Sequence, residues 1–312
     1  MSGFRLRPSR LEVADARGLQ KQGQVRARVF DDPACEVAPV VQDVEALEGG
    51  IEAFHRAVLQ RAGGVWFDFE QLVREVYCEV VRPGDRVLDV GANNGDHTSQ
   101  VAPCVGARGK VIAVEAAPDL AAKLRRQLAT HYPAFANIVT IIAAGAYDRA
   151  TTASFFQVPG HGGLNSLKDR PNVGFEKVEG TVELVRLDDV VELAGEPISF
   201  VKMDIEGAEL FAMRGAVRLL DAFKPVVVFE FDVISARAFD YDAADLLEFL
   251  RPMGYRVYDF FGVEMERAGN FERSQVWNYV AFPEGSPLKG RVLDRLRKYM
   301  LDTFGVDVPT VG

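Results

Sequence analysis

Cysteine, tryptophan and histidine are scarce in this chain: three, two and four among 312 residues. Cys35, Cys78 and Cys104 are widely spaced and form no C-x-x-C pair. That spacing excludes a disulfide scaffold and reads as reduced thiols buried as small hydrophobes. Basic charge is also in deficit. Lys and Arg number 36 against 45 Asp and Glu, a formal charge of −9. This disfavours a non-specific nucleic-acid binder, which needs a basic surface, although a local site can still hold a nucleotide-like small molecule. No apolar run approaches the ~18 residues of a membrane span. The N-terminal MSGFRLRPSR lacks the apolar segment of a secretory signal. A cytoplasmic protein without a transmembrane segment is therefore expected. Repeats and low-complexity tracts are missing as well. What is present is ordinary for a globular chain, 48% apolar and 26% charged residues. That points to one large α/β domain with extensions, whose core needs neither disulfides nor a structural metal.

Residues 1–42 carry Arg5, Arg7, Arg10, Arg17, Lys21, Arg26 and Arg28 and one short alternating run, VRARVF at 25–30. They read as a leader packed partly on the body, its basic residues solvated. Helical spacing appears from Asp43 to Gln60, interrupted by Gly49-Gly50, and more clearly from Asp68 to Val81, where Arg82-Pro83-Gly84-Asp85 stops it. The expected division is 1–66 as N-terminal extension and lid elements, 67–284 as the main domain and 285–312 as a helical tail.

Within the main domain, strands are expected at Arg86–Val90, Lys110–Glu115, Ile138–Ala143, Ile198–Asp204, Pro225–Phe231, Arg256–Phe261 and Val276–Phe282. The first five show little alternation, as parallel strands covered on both faces do. Helices fall between them at about 95–105, 118–131, 206–222 and 241–252. The implied fold is a doubly wound, mostly parallel seven-stranded α/β sheet. The last two strands, with no helix between them, should form an antiparallel pair at one edge. Residues 151–187 break the alternation with two strand-like runs, Ala153–Val158 and Thr181–Leu187, around a glycine-rich loop.

Ligands of such sheets bind beyond the carboxyl ends of the strands. Four loops therefore carry the candidates. In VLDVGANNGDHTS (87–99), Gly91 and Gly95 flank Asn93 without the G-x-G-x-x-G spacing, and Asp89 places a carboxylate beside the loop. That anion would repel a diphosphate and attract a cationic amino acid. Glu115 ends the second strand, where its two oxygens can take both ribose hydroxyls, and Ala116 follows it. In the third loop, Asp148 follows small residues that leave room for a flat base, with a solvated turn as an equally good reading. The fourth loop, FVKMDIEGAELFAMRGA (200–216), holds Asp204, Glu206 and Glu209; the two glutamates also suit the first turn of a helix.

VLDVGANNG, Glu115 before Ala-Ala-Pro, LDDV at 187–190, VKMDIEGAE at 201–209 and VVVFEFD at 226–232 together resemble the FkbM family of S-adenosylmethionine-dependent class I methyltransferases, over residues 70 to 282. The resemblance implies O-methylation of a hydroxyl on a small-molecule natural product, sugar or glycolipid, with S-adenosylmethionine as cofactor. It implies Asp89, Gly91, Asn93 and Gly95 around the methionine part, a hydroxyl from Thr98, Glu115 on the ribose, Asp148 near the adenine and Asp204 close to the methyl. The proton of the acceptor must also be removed. Candidate bases are Asp204, Glu206 and His161, the last in the loop PGHGGLNSL. His97 is read as shaping the cofactor loop, and His55 and His131 as structural.

A metal route is an alternative rather than the expectation: Asp204, Glu230 and Asp232 end neighbouring strands, and carboxylates suit Mg²⁺. Gly64–Glu70, with Trp66, Phe67 and Phe69, is a candidate lid. Two other readings stay open, an NAD-dependent oxidoreductase and a catalytically degenerate cofactor-binding or assembly module. Methylation at nitrogen or carbon and homo-oligomerisation stay open too.

Overall fold

The computed structural model describes residues 50–62, 68–170, 173–190, 193 and 195–308. The basic leader, the helical spacing before Gly50, and Trp66 and Phe67 of the candidate lid lie outside the described residues.

In chain order the described elements open with α1 (Gly50–Arg61) and α2 (Phe69–Val80). Asp68 caps α2 by accepting from the Glu70 amide, and the helix buries a stripe from Phe69 to Val80. Then come β1 (Arg86–Val90), α3 (Asp96–Val105), β2 (Lys110–Val114), α4 (Pro118–His131) and β3 (Val139–Ile142). Pro118 stands in the first turn of α4, where its missing N–H costs nothing. A side excursion follows: β4 (Gly145–Ala146), β5 (Thr151–Gln157) and β6 (Val178–Val185) form a separate three-stranded sheet in the order β4-β6-β5. The chain re-enters the main sheet with β7 (Phe200–Met203), α5 (Glu209–Arg214), α6 (Val217–Phe223), β8 (Val226–Glu230), α7 (Val233–Ala238) and α8 (Ala243–Leu250). It ends with β9 (Tyr255–Asp259), α9 (Ala268–Arg273), β10 (Asn278–Pro283) and α10 (Leu288–Phe304).

The main sheet has seven strands in the order β3-β2-β1-β7-β8-β10-β9. All pairings among β3, β2, β1, β7 and β8 are parallel. β10 runs antiparallel to both neighbours, so the reversed strand lies one place in from the edge. The strand order reverses between β1 and β7, and that switch puts the ends of β1, β2 and β7 around one crevice.

Two expectations of element layout are corrected. The segment 206–222 is two short helices, broken at Gly215, where a Cβ would lie 2.0 Å from the Tyr147 carbonyl oxygen. A short helix, α9, does stand between the last two sheet strands; its Phe271 packs on Tyr279 and Phe231.

The flanking helices are fastened to this core. α10 buries Val292, Leu293, Leu296 and Met300, and Arg295 reaches Glu75 of α2 at 2.7 Å. α1 is held by His55, which is wholly buried. Its Nδ1 accepts the Gln275 amide at 3.1 Å, so Nε2 bears the proton donated to Asp259 at 2.5 Å. Ser274 completes a Ser-His-Asp grouping, yet its hydroxyl donates to the Val276 carbonyl and all three side chains are buried. This is a structural clip, in line with the structural role expected for His55.

Candidate functional site

A cleft of about 710 Å³ opens at the switch point. Of the residues singled out from sequence, Gly91, Asn93, Glu115, Ala116, His161, Asp204 and Glu206 line it. Asp89, Gly95, Thr98, Asp148, Glu230 and Asp232 do not.

The loop after β1 has its shape for reasons inside the protein. Gly91 has φ +81°, and a Cβ there would lie 2.0 Å from the Asp204 carbonyl oxygen, so only glycine lets the loops after β1 and β7 touch. Gly95, at φ +83°, likewise faces Leu124 at 2.1 Å. Asn93 also has positive φ, 49°, which asparagine tolerates better than most residues. The glycines thus serve contact between protein segments as well as any ligand.

Glu115, buried at the end of β2, grips this loop. Its Oε2 accepts the Asn93 amide at 2.7 Å and its Oε1 the Ala117 amide at 2.8 Å. Burial raises its pKa while the two amide bonds hold it down. Each oxygen keeps a further lone pair for a ligand hydroxyl. Thr98 is corrected: its hydroxyl is buried and donates to Asp89 Oδ2 at 2.6 Å, so it orients Asp89 instead of meeting a ligand.

Asp89 Oδ1 and Asn93 Oδ1 are buried and accept no hydrogen bond from any described residue. Orphaned acceptors beside a strand-to-helix loop fit a ligand carrying a protonated amine. Ala116, Gly145 and Ala146 line the cleft and supply a small-sided slot suited to a flat base, and Phe155 lines the same cleft. The donor and acceptor set therefore fits a nucleoside joined to a cationic amino acid. Asp148 does not line the cleft; its carboxylate pairs with Arg149 Nε at 2.8 Å.

The other half of the cleft is built on the end of β7. Lys202, a lysine inside an otherwise apolar strand, is buried with Nζ 3.5 Å from Asp204 Oδ2. Burial by itself would lower its pKa, but Asp204, Asp89, Glu70 and Glu230 together raise it, so the ammonium is charged. Glu206 is held by Arg170, whose Nη1 donates to Glu206 Oε2 at 2.5 Å and to Ser235 Oγ at 2.9 Å. Nη2 of the same guanidinium donates to the Leu164 carbonyl at 2.8 Å. Glu209, in the first turn of α5, accepts the amides of Ile205 and Gly207 at 2.9 and 3.0 Å, and burial pushes its pKa up to about 8.

Ligand oxygens of Asp204, Glu206 and Glu230 lie within 4.8 Å of one another. The metal set read from sequence is corrected here. Asp232 is spent on capping α7, accepting the Ser235 amide and hydroxyl, both at 2.9 Å, and Glu206 takes its place in the group.

Within residues 158–170, which lead from β5 towards β6, positions 161–167 line the cleft. Asn165 Oδ1 accepts the Val158 amide at 2.8 Å, Ser166 donates to the Glu206 carbonyl at 3.0 Å, and Arg170 anchors the far end. His161 stacks on Phe175, with centroids 4.2 Å apart. On the opposite wall, His97 at the start of α3 bonds to Glu70 at the start of α2 and lowers the Glu70 pKa. Phe69 packs against Trp277 at 4.9 Å and belongs to the core.

Sequence reading missed Lys202 and Arg170, whereas the helix-start reading offered for Glu209 agrees with its two amide bonds. A lysine between Val201 and Met203 in a buried strand was a legible signal; nothing local marks Arg170.

The Methyltransferase FkbM domain family matches residues 89–257, just over half of the chain. Among curated proteins, the chain is 37% identical over 73 residues to Protein-L-isoaspartate O-methyltransferase 1 of Archaeoglobus fulgidus, covering 23% of this chain and 33% of that protein. The chain thus spans about a third of the length of that relative. Among solved structures, it is similar to a methyltransferase FkbM from Methylobacillus flagellatus KT, with 18% identity, TM-score 0.40 and coverage of 73% of this chain and 57% of that one. It is also similar to Aeropyrum pernix fibrillarin bound to S-adenosyl-L-methionine, with 14% identity, TM-score 0.36 and coverage of 72% and 73%. No helix among the described residues is long and apolar enough to cross a membrane.

Proposed function

The chain belongs to the FkbM methyltransferase family, and from that premise we propose that it is an S-adenosylmethionine-dependent enzyme that methylates a hydroxyl of a small polar natural product, sugar or glycolipid. The observation that carries this is the meeting, in one cleft, of a buried ribose-type acid with orphaned acceptors on one side and an acid-base group on the other. Glu115 and the Gly91–Gly95 loop form the first side, and Asp204 with Lys202 the second.

Bound S-adenosylmethionine supplies a methyl group made electrophilic by its sulfonium. The chain's own residues do the rest. Glu115 would hold the ribose, the small-sided slot would take the adenine, and Asn93 would receive the α-amino group on the side of the loop where Asp89 is buried. Asp204 lines the cleft and would take the proton of the acceptor hydroxyl as its oxygen gains the methyl, the methyl–sulfur bond breaking to leave the neutral thioether S-adenosylhomocysteine. The carboxylate of Glu206 is engaged by Arg170, which suits it to hold the covering loop and leaves Asp204 the better base. That loop, with His161, helps to exclude water and align the acceptor oxygen with the methyl carbon.

The test is calorimetric titration with S-adenosylhomocysteine and, separately, NAD. Saturable binding of the first is expected, weakened roughly 10- to 100-fold in Glu115→Ala, as loss of charged hydrogen bonds predicts. Binding of NAD alone would overturn the reading. Asp204→Asn should keep S-adenosylhomocysteine binding and lose transfer of labelled methyl in a screen of hydroxylated acceptors.

A further inference from the structure

Three clustered carboxylates, of which Asp204 and Glu206 line the cleft and Glu230 does not, look like a seat for a divalent metal, yet two buried side-chain cations already serve them. Lys202 Nζ lies 3.5 Å from Asp204 and within the electrostatic reach of Glu230, and Arg170 is bonded to Glu206. Three carboxylates against two cations leave one net negative charge, where an empty cluster would offer a metal three. The two cations are fixed differently. Arg170 is tied down by Glu206, Ser235 and Leu164 and does not line the cleft, whereas Lys202 does. An ammonium carries three N–H donors, and from the cleft floor one of them can face a bound ligand.

We propose that Lys202 is the resident cation of the acceptor site, its ammonium standing beside Asp204 and Glu230 where a divalent ion would otherwise bind, and donating a hydrogen bond to the acceptor oxygen. The identity of that oxygen rests on the methyl-transfer reading; the place of the ammonium in the cluster does not. A metal in such a site would orient the hydroxyl and stabilise the developing alkoxide. A fixed ammonium does both electrostatically, while Asp204 receives the proton. The lysine donates no proton in this step and stays cationic throughout. It is a positioning and charge-stabilising group on the chain itself, so the site works without an added metal.

The strand placement supports this. Lys202 is directly opposite Asp89 of β1 and Val228 of β8 in the parallel ladders, so its stem is fixed on both sides. A lysine carried by a central strand, under 10% exposed, cannot swing out to yield the seat to an ion.

The experiment is titration of the full chain with Mn²⁺ alone, following free Mn²⁺ by electron paramagnetic resonance. The wild type and Lys202→Arg should bind no Mn²⁺ at this cluster. Lys202→Ala should gain a saturable Mn²⁺ site, lost again in Lys202→Ala/Glu230→Gln. Lys202→Met, which keeps the stem, serves if the alanine variant does not fold. Mn²⁺ bound by the wild type and lost in Glu230→Gln overturns the proposal, and that arm needs no lysine variant to fold. No gain of Mn²⁺ in a folded Lys202→Ala or Lys202→Met also overturns it. S-adenosylhomocysteine binding is measured on the same samples. Its absence would sink the methyl-transfer reading and leave the Mn²⁺ result standing.

Discussion

Replacing Arg170 by methionine tests the anchoring of the cleft cover most directly. The guanidinium is buried, 4% exposed, and donates to Glu206, Ser235 and Leu164 at 2.5, 2.9 and 2.8 Å. The bond to the Glu206 carboxylate contributes about 1.5–3 kcal/mol and each bond to a neutral acceptor about 1 kcal/mol. Their sum agrees with the roughly 3–5 kcal/mol lost when one partner of a buried ion pair is removed and the other is stranded. For a domain of this size that corresponds to roughly 6–10 °C in melting temperature. Urea unfolding followed by circular dichroism measures the loss. A second variant, Arg170→Met/Glu206→Gln, removes the stranded charge and should recover about 1–3 kcal/mol of it, a coupling that independent sites would not show. Amide exchange should rise across residues 158–170 in the single variant, because Leu164 loses its anchor. A loss below about 1 kcal/mol, or a double variant no better than the sum of its parts, would refute the reasoning.

Three further outcomes are expected. Glu209, pushed up to about 8 by burial, is protonated in the fold but ionised in the unfolded chain above its ordinary value. Its contribution is thus fully present below about pH 4.5 and is lost as pH rises through about 8, a slope of up to 1.4 kcal/mol per unit. Unfolding free energies of the wild type minus Glu209→Gln, measured across that window, should fall with pH; a flat difference would refute the shift. Gly91→Ala forces a side chain into a positive-φ position 2.0 Å from the Asp204 carbonyl. It should lose about 3 kcal/mol or more together with S-adenosylhomocysteine binding, and calorimetry that finds wild-type affinity would contradict this account of the loop contact. His55→Ala strips Asp259 of its buried partner and should cost about 3 kcal/mol. Its cofactor affinity should be unchanged, since the clip lies outside the cleft.

The sheet was legible because parallel strands covered on both faces must be almost wholly apolar, and RVLDV, KVIAV and VVVFE are. The strand ends then pointed to Glu115 and Asp204 without further help, and both line the cleft. Asn93 was legible as a member of the first loop, whereas its positive φ was not. The break at Gly215 was missed because it depends on the Tyr147 carbonyl, 68 positions earlier in the chain. Asp148 and Asp232 had the right residue type and the right loop, but a neighbouring Arg149 and a helix cap claimed them.

What the sequence determined by itself was the alternation of strand and helix, hence the crevice and the loops that border it. Burial leaves a periodic trace, and caps such as Asp68 on α2 and Asp242 on α8 are written in adjacent residues. What only the tertiary structure decided was the state of each acid. Glu206 became an anchor because Arg170 arrives from 36 positions away, and Asp204 gained a cation because Lys202 is enclosed by acids from β1, β8 and α2. A carboxylate's role depends on which charge lies within a few ångströms in space, and no local pattern in the chain encodes that distance.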